Sequence, residues 1–571
     1  MTTTKSEKRS NAQLVIELNG KREYLLGQLR RFRDFIDAYD NSKLELLKLK
    51  LERAENWFDK YGIAYMGLKP NVATDNVKMW FYINILILVL GYLYIVKYFS
   101  YWKYKGVVQY SVFANIRDTF LAIISYRPGT DGLEKVYNDF SNERYCGVYQ
   151  FAKPTLLVKD LELIKQLTVK DFDHFMDHSQ FFPEDAEPMW QKNLISLKGD
   201  KWRHMRATLS PSFTSSKMKF MFKSMSDYAK NFVKYFEEQS GIIKLEMKDT
   251  FTRFANDVIA TSAFGINCDS MRNPDNEFYK MGKNLTTFTG LFKRIKLFLF
   301  LMLPRLSYKL GLNFFPINVS NFFTMIVKEN VKNREANNIF RPDMIQLLME
   351  ARNGSNKDFE TVSSLMCFMA HELAVNAEIQ DRLQSEIDDA LNQCDDSLSY
   401  EALSKMNYMN MVVCQVKTLR KWPVAVLSDR VCTKGLTIDP VNDREIPLHL
   451  KKGDLLMIPT FAIHRDSKYY KNPQRFDPER FNDENKHTVP QYGYLPFGVG
   501  PRICIGNRFA LMEIKLAFFY ILSKFNIVVV DKTNVPLKLA NNSFQLISEG
   551  GFWLGLEQGI NMQNKCKEHC L

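Results

Sequence analysis

The run "MWFYINILILVLGYLYIV", from Met79 to Val96, is the strongest single constraint in this chain, because its 18 residues carry no charge. Such a stretch satisfies its own N–H and C=O groups best as a helix, and about 20 apolar residues are what a helix needs to cross a bilayer. Trp80, Tyr82, Tyr98, Tyr101 and Trp102 flank it, and such rings favour a membrane–water interface. Lys97, Lys103 and Lys105 follow and favour a cytosolic C-terminal side. The run lies well inside the chain, unlike a cleaved signal peptide. The expectation is therefore a transmembrane anchor over 79–100, a separate helical extension over 1–78 and a large domain over 101–571.

In the extension, Leu25, Leu29, Phe32, Ile36 and Tyr39 recur at heptad-like spacing. Leu44, Leu47, Leu51, Ala54 and Phe58 do the same after "DNSK", where Ser42 would cap a second helix. The pattern predicts a two-helix hairpin. It faintly resembles the helical N-terminal part of insect retroelement polyproteins. It reads either as a coiled-coil partner site or, preferably, as a fusion or gene-model artefact joined to a chain whose natural start is Met79.

At 571 residues, 46% hydrophobic and 25% charged, the chain can bury a large core. Its net charge of +13 favours acidic partner proteins or anionic lipid. No basic run with interleaved aromatics argues for single-stranded nucleic acid. Nine cysteines at irregular spacing exclude a secreted disulfide framework and place the bulk of the chain in a reducing compartment. The tail "CKEHC" sets Cys566, His569 and Cys570 together, but a fourth zinc ligand is not evident, and it reads as a solvated tail. Helical patterns dominate to about residue 420. Strand and turn signals follow from Val424 to about Thr460. Helix returns after Gly506, and short strand-like pieces close the chain. The fold class expected is mainly α with a smaller β region, an α+β arrangement.

The chemistry concentrates in "PFGVGPRICIGNRFA", Pro496 to Ala510. A buried structural cysteine does not need such company, whereas a metal-bound thiolate must be held rigidly and kept ionised. Gly498 and Gly500 permit turns with positive φ. Gly506 would let the next helix approach a flat cofactor closely. Backbone N–H groups and the helix N-terminus supply positive potential at the sulfur of Cys504. Arg502 offers a permanent charge to a carboxylate, and Phe497 would shield the sulfur from water.

The pattern Phe497-x-x-Gly500-x-Arg502-x-Cys504-x-Gly506-x-x-x-Ala510 resembles the haem-binding loop of cytochrome P450 enzymes. The resemblance implies that Cys504 is the axial ligand of haem b iron, its thiolate favouring O–O cleavage. Phe497, Gly498, Gly500, Arg502, Gly506 and Ala510 would then line the cofactor. "GDKWRHMRATLSPSFTSSKMK" resembles the family's third long helix. Its Trp202 and Arg206 stand four apart on one helical face and, by the resemblance, hold a haem propionate. "FANDVIATSAFGI", "AIHRDSKYYKNPQRFDPERF" and "LRKWP" match too, and the texture is that of insect microsomal enzymes that metabolise foreign compounds. The resemblance further implies a cytochrome P450 fold with an N-terminal membrane anchor helix, in the endoplasmic reticulum membrane, its catalytic domain facing the cytosol. The implied activity is monooxygenation of lipophilic small molecules, xenobiotics or endogenous lipids, with O2. No Gly-rich dinucleotide fingerprint is present. Electrons would therefore come from NADPH through a flavoprotein, NADPH–cytochrome P450 reductase, with cytochrome b5 as a further partner. An acidic docking face on the reductase would suit the basic charge here.

Three departures accompany the resemblance. The family's Glu-x-x-Arg motif, whose partner is the arginine of a downstream "PERF", reads here as Lys417-x-x-Arg420 with Arg480. Three cations then replace one anion between two cations, and an uncompensated buried charge costs several kcal/mol. Lys417 would turn outward, Glu479 or another acid would substitute, or the fold would be weakened. On the oxygen-side helix Glu360 and Thr361 match the proton-relay pair. Lys357 and Asp358, however, occupy the small-residue positions, and "PDMIQLLMEARNG" runs almost directly into "DFETVSS", as if a block of sequence were skipped. No proline occurs between Pro70 and Pro128, so the usual hinge after the anchor is missing. "FFPEDAEPMW" and "FTGLFKRIKLFLFLMLP" are rich enough in apolar groups to line a substrate pocket. Two alternatives stand beside the enzyme: a haem-binding but catalytically impaired member of the same fold, and a membrane adaptor acting through the N-terminal hairpin.

Overall fold

The computed structural model describes residues 84–559, apart from 86, 90, 94, 124–127, 151–152, 181–190, 287–294, 297–298, 301–302, 313–315, 342–344, 347–359, 394–397, 416 and 542–545. The hairpin expected over 1–78, the first candidate pocket lining, Lys357, Asp358 and the "CKEHC" tail lie outside the described residues. So do the side chains of Glu360, Thr361 and Lys417. Residues from Tyr98 onward form one compact unit.

Three helices form its centre, and each is buried around most of its circumference. Helix α3 (Met247–Ile259) buries Phe251, Phe254, Ala255 and Val258, and Glu246 caps it by accepting the Asp249 N–H at 2.8 Å. Helix α4 (Glu360–Ala374) buries seven consecutive residues of "SLMCFMA". Helix α7 (Asn507–Leu522) buries every residue from Met512 to its end. Such burial means that each of the three has neighbours on nearly all sides, so the few polar groups they carry need partners within the protein. Phe251 of α3 meets Phe518 of α7 with ring centroids 5.7 Å apart.

The amphipathic helix α2 (Ser215–Glu237) covers this centre with Met218, Met221, Phe222, Met225, Ala229, Phe232, Val233 and Phe236, the i, i+3, i+4 stripe of a half-buried helix. Its Ser226 hydroxyl and the Tyr520 hydroxyl of α7 are 2.6 Å apart. Helix α1 (Gly199–Leu209) precedes it. The stretch expected to continue as one long helix is broken between the two by a tight turn at Ser210–Phe213. Pro211 lacks the N–H that a continuous helix would use there. Helix α5 (Ala377–Asn392) and the single-turn helix α6 (Lys417–Lys421) follow α4. A π-helical turn at Met411–Gln415 leads towards α6.

The β structure is small and mostly late in the chain, as the sequence predicts. The exceptions are β1 (Tyr145–Gln150) and β2 (Lys153–Val158), which form an early antiparallel hairpin. β3 (Ile243–Glu246) precedes α3 directly. The remaining strands are β4 (Ser428–Val431), β5 (Leu436–Ile438), β6 (Leu448–Leu450), β7 (Leu455–Ile458), β8 (Phe525–Val528) and β9 (Trp553–Gln558). They complete three sheets of order β1-β2-β7-β4, β3-β9-β8 and β5-β6. The β2–β7 pair is parallel, with Leu156 opposite Leu456. Residues some 300 apart therefore frame one sheet, and hydrophobic periodicity alone does not reveal that pairing.

The chain just after the apolar run departs from its expected role. Trp102 is fully buried, and an added Cβ at Gly147 of β1 would lie 2.4 Å from its indole. The Tyr101 hydroxyl donates to Asp454 Oδ1 at 2.6 Å, and Lys105 forms an ion pair with Asp454 at 2.8 Å. Trp102 and Tyr101 are thus core and sheet-edge groups, not interfacial aromatics, and Lys105 has a carboxylate partner. Among the described residues no helix is long and apolar enough to cross a membrane.

Candidate functional site

The cysteine loop spans from the 464–495 region to the N-terminus of α7. It closes on itself: the Cys504 N–H donates to Phe497 O at 2.9 Å, and Ile503 N–H donates to Gly500 O at 2.9 Å. Gly498 and Gly500 both have positive φ, +82° and +70°. At Gly500 a second constraint applies. A Cβ there would lie 2.2 Å from the carbonyl oxygen of Thr168, so the loop backbone rests directly on the π-helical turn Gln166–Lys170. Gly506 caps α7 with φ of −92°. An added Cβ there would meet Phe213 at an ordinary 3.7 Å, so no protein atom demands glycine at that position. Phe497 packs against the core, and the Ala510 N–H donates to Gly506 O in the first turn of α7.

Arg502 is buried in the floor of the loop. Its Nε donates to Met176 O (2.7 Å), Nη1 to Leu194 O (3.1 Å), and Nη2 to Leu197 O (2.9 Å) and to Asp177 Oδ1 (3.3 Å). Its guanidinium lies 4.0 Å from the centre of the Trp202 ring, a cation–π stack. Trp202 is itself buried and leans on Phe172 at 5.7 Å. Arg206, one turn further along α1, donates to Ile503 O at 2.8 Å. Burial lowers its pKa, and the adjacent Cys504 opposes that shift. The structure thus brings Trp202, Arg206, Arg502 and Cys504 into one place from two distant stretches of sequence.

A third guanidinium joins them, which sequence reasoning missed. Arg430 of β4 is 1% exposed. It donates to Val499 O (3.1 Å), Asp429 O (2.6 Å) and Ser428 Oγ (3.2 Å), while its Nε has no partner. No carboxylate lies within ion-pair distance of it among the described residues. Burial pushes its pKa down to about 10, which leaves it charged at neutral pH. Asp429 Oδ1 accepts from His178 Nδ1 (2.9 Å) and Oδ2 from the Ser179 N–H (2.6 Å). These two donors hold its carboxyl below the usual carboxylate range against the cost of burial. Burial, with Arg430 and Arg502 nearby, keeps His178 below its ordinary value and therefore neutral near pH 7. The only sequence signal for Arg430 is an Asp-Arg pair in a short, mostly polar strand, which reads equally well as a solvated edge.

Cys504 stands apart from the other described cysteines. Cys146, Cys268, Cys367 and Cys432 are buried, and burial raises the pKa of each thiol. Among the described cysteines only Cys504 is exposed, and it sits beside Arg206 and two residues past Arg502. A thiol among cations is stabilised as thiolate. Among the described residues no group of three or more His, Cys, Asp or Glu side chains is placed to hold a metal ion. A metal taken by Cys504 must therefore bring its other donors with it. One open thiol, three guanidiniums bonded mostly to carbonyls and one buried Nε–H without a partner fit a planar metal macrocycle with anionic side groups.

Glu360 and Thr361 begin helix α4. The described part of that helix continues through Ser363 and Ser364, both of whose hydroxyls accept from Lys248 Nζ (2.9 and 2.8 Å). In the core network Arg420 and Arg480 come together, but Glu479 does not join them. Glu479 accepts from Arg382 (2.5 Å) and Asn482 (2.9 Å) instead.

A family model described as cytochrome P450 matches residues 119–554. Cytochrome P450 9e2 of Blattella germanica is 43% identical over 75% of this chain and 88% of its own length. Probable cytochrome P450 9f2 of Drosophila melanogaster is 40% identical over 74% and 88%. Cytochrome P450 6a2 of the same fly is 35% identical over 82% and 97%.

Proposed function

The chain belongs to the cytochrome P450 family and is a monooxygenase by that membership; on that premise we propose that it oxidises lipophilic small molecules, xenobiotics or endogenous lipids, with electrons passed from NADPH by a flavoprotein reductase. The observation that carries the reading is the exposed Cys504 on a glycine-shaped loop, next to guanidiniums that lack a full set of anions. When bound, haem supplies the activation of O2 through its iron, and Cys504 would hold it as thiolate.

The protein's own residues have separable tasks. Gly498 and Gly500 fix the loop so that Cys504 faces one direction. Arg206 places a cation beside its sulfur, and with Trp202, Arg502 and Arg430 it would hold the carboxylate edge of the cofactor. Arg430 Nε–H is the donor left free for that purpose. At Gly506 the absence of a side chain serves the cofactor, because no protein atom requires it. Glu360 and Thr361, at the start of α4, would pass protons towards the oxygen-binding side. The reductase, with cytochrome b5 as a further donor, would dock through charge complementarity with this basic chain. The run Met79–Val96 would anchor it in the endoplasmic reticulum membrane, with the catalytic unit in the cytosol.

The test is the absorption spectrum of the reduced protein under carbon monoxide. A red-shifted thiolate band that disappears in Cys504→Ala supports the reading, and a band that survives the substitution refutes it. A second reading, a haem-binding but impaired member, is favoured by one observation: Arg420 and Arg480 lack a shared carboxylate. Turnover with reductase and NADPH separates the two, since the impaired protein would show the band and no product.

A further inference from the structure

We propose, on the haem reading above, that Asp177 is the positioning residue of this site: through one carboxylate oxygen and its own carbonyl it sets the register of the three elements that carry the guanidiniums. Those elements are α1 with Arg206, β4 with Arg430 and the cysteine loop with Arg502. Asp177 Oδ1 accepts the N–H of Gly199 at 2.9 Å. Gly199 is the first residue of α1, and Lys198 before it gives the helix no side-chain cap. Asp177 thus supplies from another segment the carboxylate that a helix N-terminus favours. The same oxygen accepts from Arg502 Nη2 at 3.3 Å. The Asp177 carbonyl accepts the Val431 N–H at 2.8 Å, one residue past Arg430. Its neighbours extend the strap. Met176 O accepts from Arg502 Nε at 2.7 Å, and His178 and Ser179 both bond the Asp429 carboxylate.

The other links between these elements use the guanidiniums themselves. Arg206 bonds Ile503 O and Arg430 bonds Val499 O. A guanidinium that turned to meet an anion would loosen its own link. The links that Asp177 makes to α1 and β4 run through backbone N–H groups, so both elements keep their places whichever way Arg206 and Arg430 turn. Its side chain is only 13% exposed and is held by donors from two elements. Burial pulls the pKa of Arg502 down to about 10, and Asp177 is the foremost charge opposing that shift. Three further carbonyls also accept from Arg502, so what Asp177 alone adds is an acceptor shared between that guanidinium and the start of α1. An amide oxygen at the same reach can fill this role, whereas a displaced carboxylate cannot.

The experiment measures haem transfer from the full haem-loaded chain to an acceptor apoprotein, well below the melting temperature. Asp177→Asn keeps an oxygen at the same reach and removes the charge, so its transfer should stay close to the wild-type rate. Asp177→Ala removes the acceptor, and Asp177→Glu carries the charge one methylene further out. Both should release haem about 10- to 100-fold faster, as when a partner that orients a cofactor's ligands is lost. Ser399→Ala is the control. It removes a helix cap elsewhere, where Ser399 Oγ accepts the Ala402 N–H at 3.0 Å, and should lower stability without changing the transfer rate. Transfer from Asp177→Ala at the wild-type rate overturns the proposal. So does Asp177→Asn as fast as Asp177→Glu, a comparison that stands even where the alanine variant does not fold, because it assigns the effect to charge and not to placement. Equal acceleration in Ser399→Ala overturns it too, by assigning the effect to lost stability. A wild-type chain that takes up no haem refutes the haem reading itself and this role with it, a result distinct from all the others.

Discussion

Substituting alanine at Gly500 should damage this protein far more than the same change two residues earlier at Gly498. Both glycines have positive φ, and placing an L-residue there costs about 1–2 kcal/mol. At Gly498 that is the whole cost, since an added Cβ meets nothing within 4 Å. At Gly500 the new methyl would lie 2.2 Å from Thr168 O. Roughly 1 Å of separation must be found between two backbones. Thr168 does not yield easily: it is 1% exposed, and its own hydroxyl is bonded to Ile164 O at 2.6 Å. Overpacking of this kind adds about 1–3 kcal/mol, so Gly500→Ala should cost about 2–5 kcal/mol in total. For a unit of this size the difference between the two variants corresponds to about 1–3 °C in melting temperature. Because the loop itself shifts, the reduced carbon monoxide band should weaken in Gly500→Ala and persist in Gly498→Ala. Both quantities come from one thermal melt and one difference spectrum of each purified variant. Equal melting temperatures and equal bands would refute the argument that the Thr168 contact fixes the loop.

Three further outcomes are expected. Arg430→Met removes a buried guanidinium that has no carboxylate, so the haem-free protein should keep its stability or gain from the change. Haem should nevertheless transfer to an acceptor apoprotein at least about tenfold faster, because a charge-assisted bond is lost; an unchanged transfer rate would remove Arg430 from the site. Burial, reinforced by Arg420, pushes His464 down to about 3, so it is neutral when folded and titrates near 6.5 when unfolded. Its contribution is intact above that value and is lost progressively as pH falls towards 3. Between pH 7 and pH 5 the loss is about 2 kcal/mol, and the unfolding free energy from urea titrations should fall by that much less in His464→Gln. Gly147→Ala should lower the melting temperature, because its methyl would enter the fully buried Trp102 indole; a Trp102→Leu background should relieve the effect.

The cysteine loop and the mainly helical class were legible in the linear chain for local reasons. Positive-φ glycines, a cysteine and the onset of an apolar helix are all close in sequence, and helix periodicity is a property of a few turns. Trp202 and Arg206 were legible only as a spacing of four on one helix. Their meeting with Arg502 and Cys504 depends on packing α1 against a loop some 300 residues away. Arg430 was not legible, because an Asp-Arg pair in a short strand looks the same whether it faces water or the loop backbone. Trp102 and Tyr101 were misread for the same reason: flanking aromatics suit an interface, and only Gly147 and Asp454 show where these two are held. Likewise, Lys417 marks a missing anion in the sequence, but only the structure shows that Glu479 turns to Arg382 and that Asp477 is the carboxylate nearest Arg480, at 3.7 Å. Local chemistry is written in neighbouring residues, whereas the balance of buried charge is decided by contacts between residues far apart in the chain.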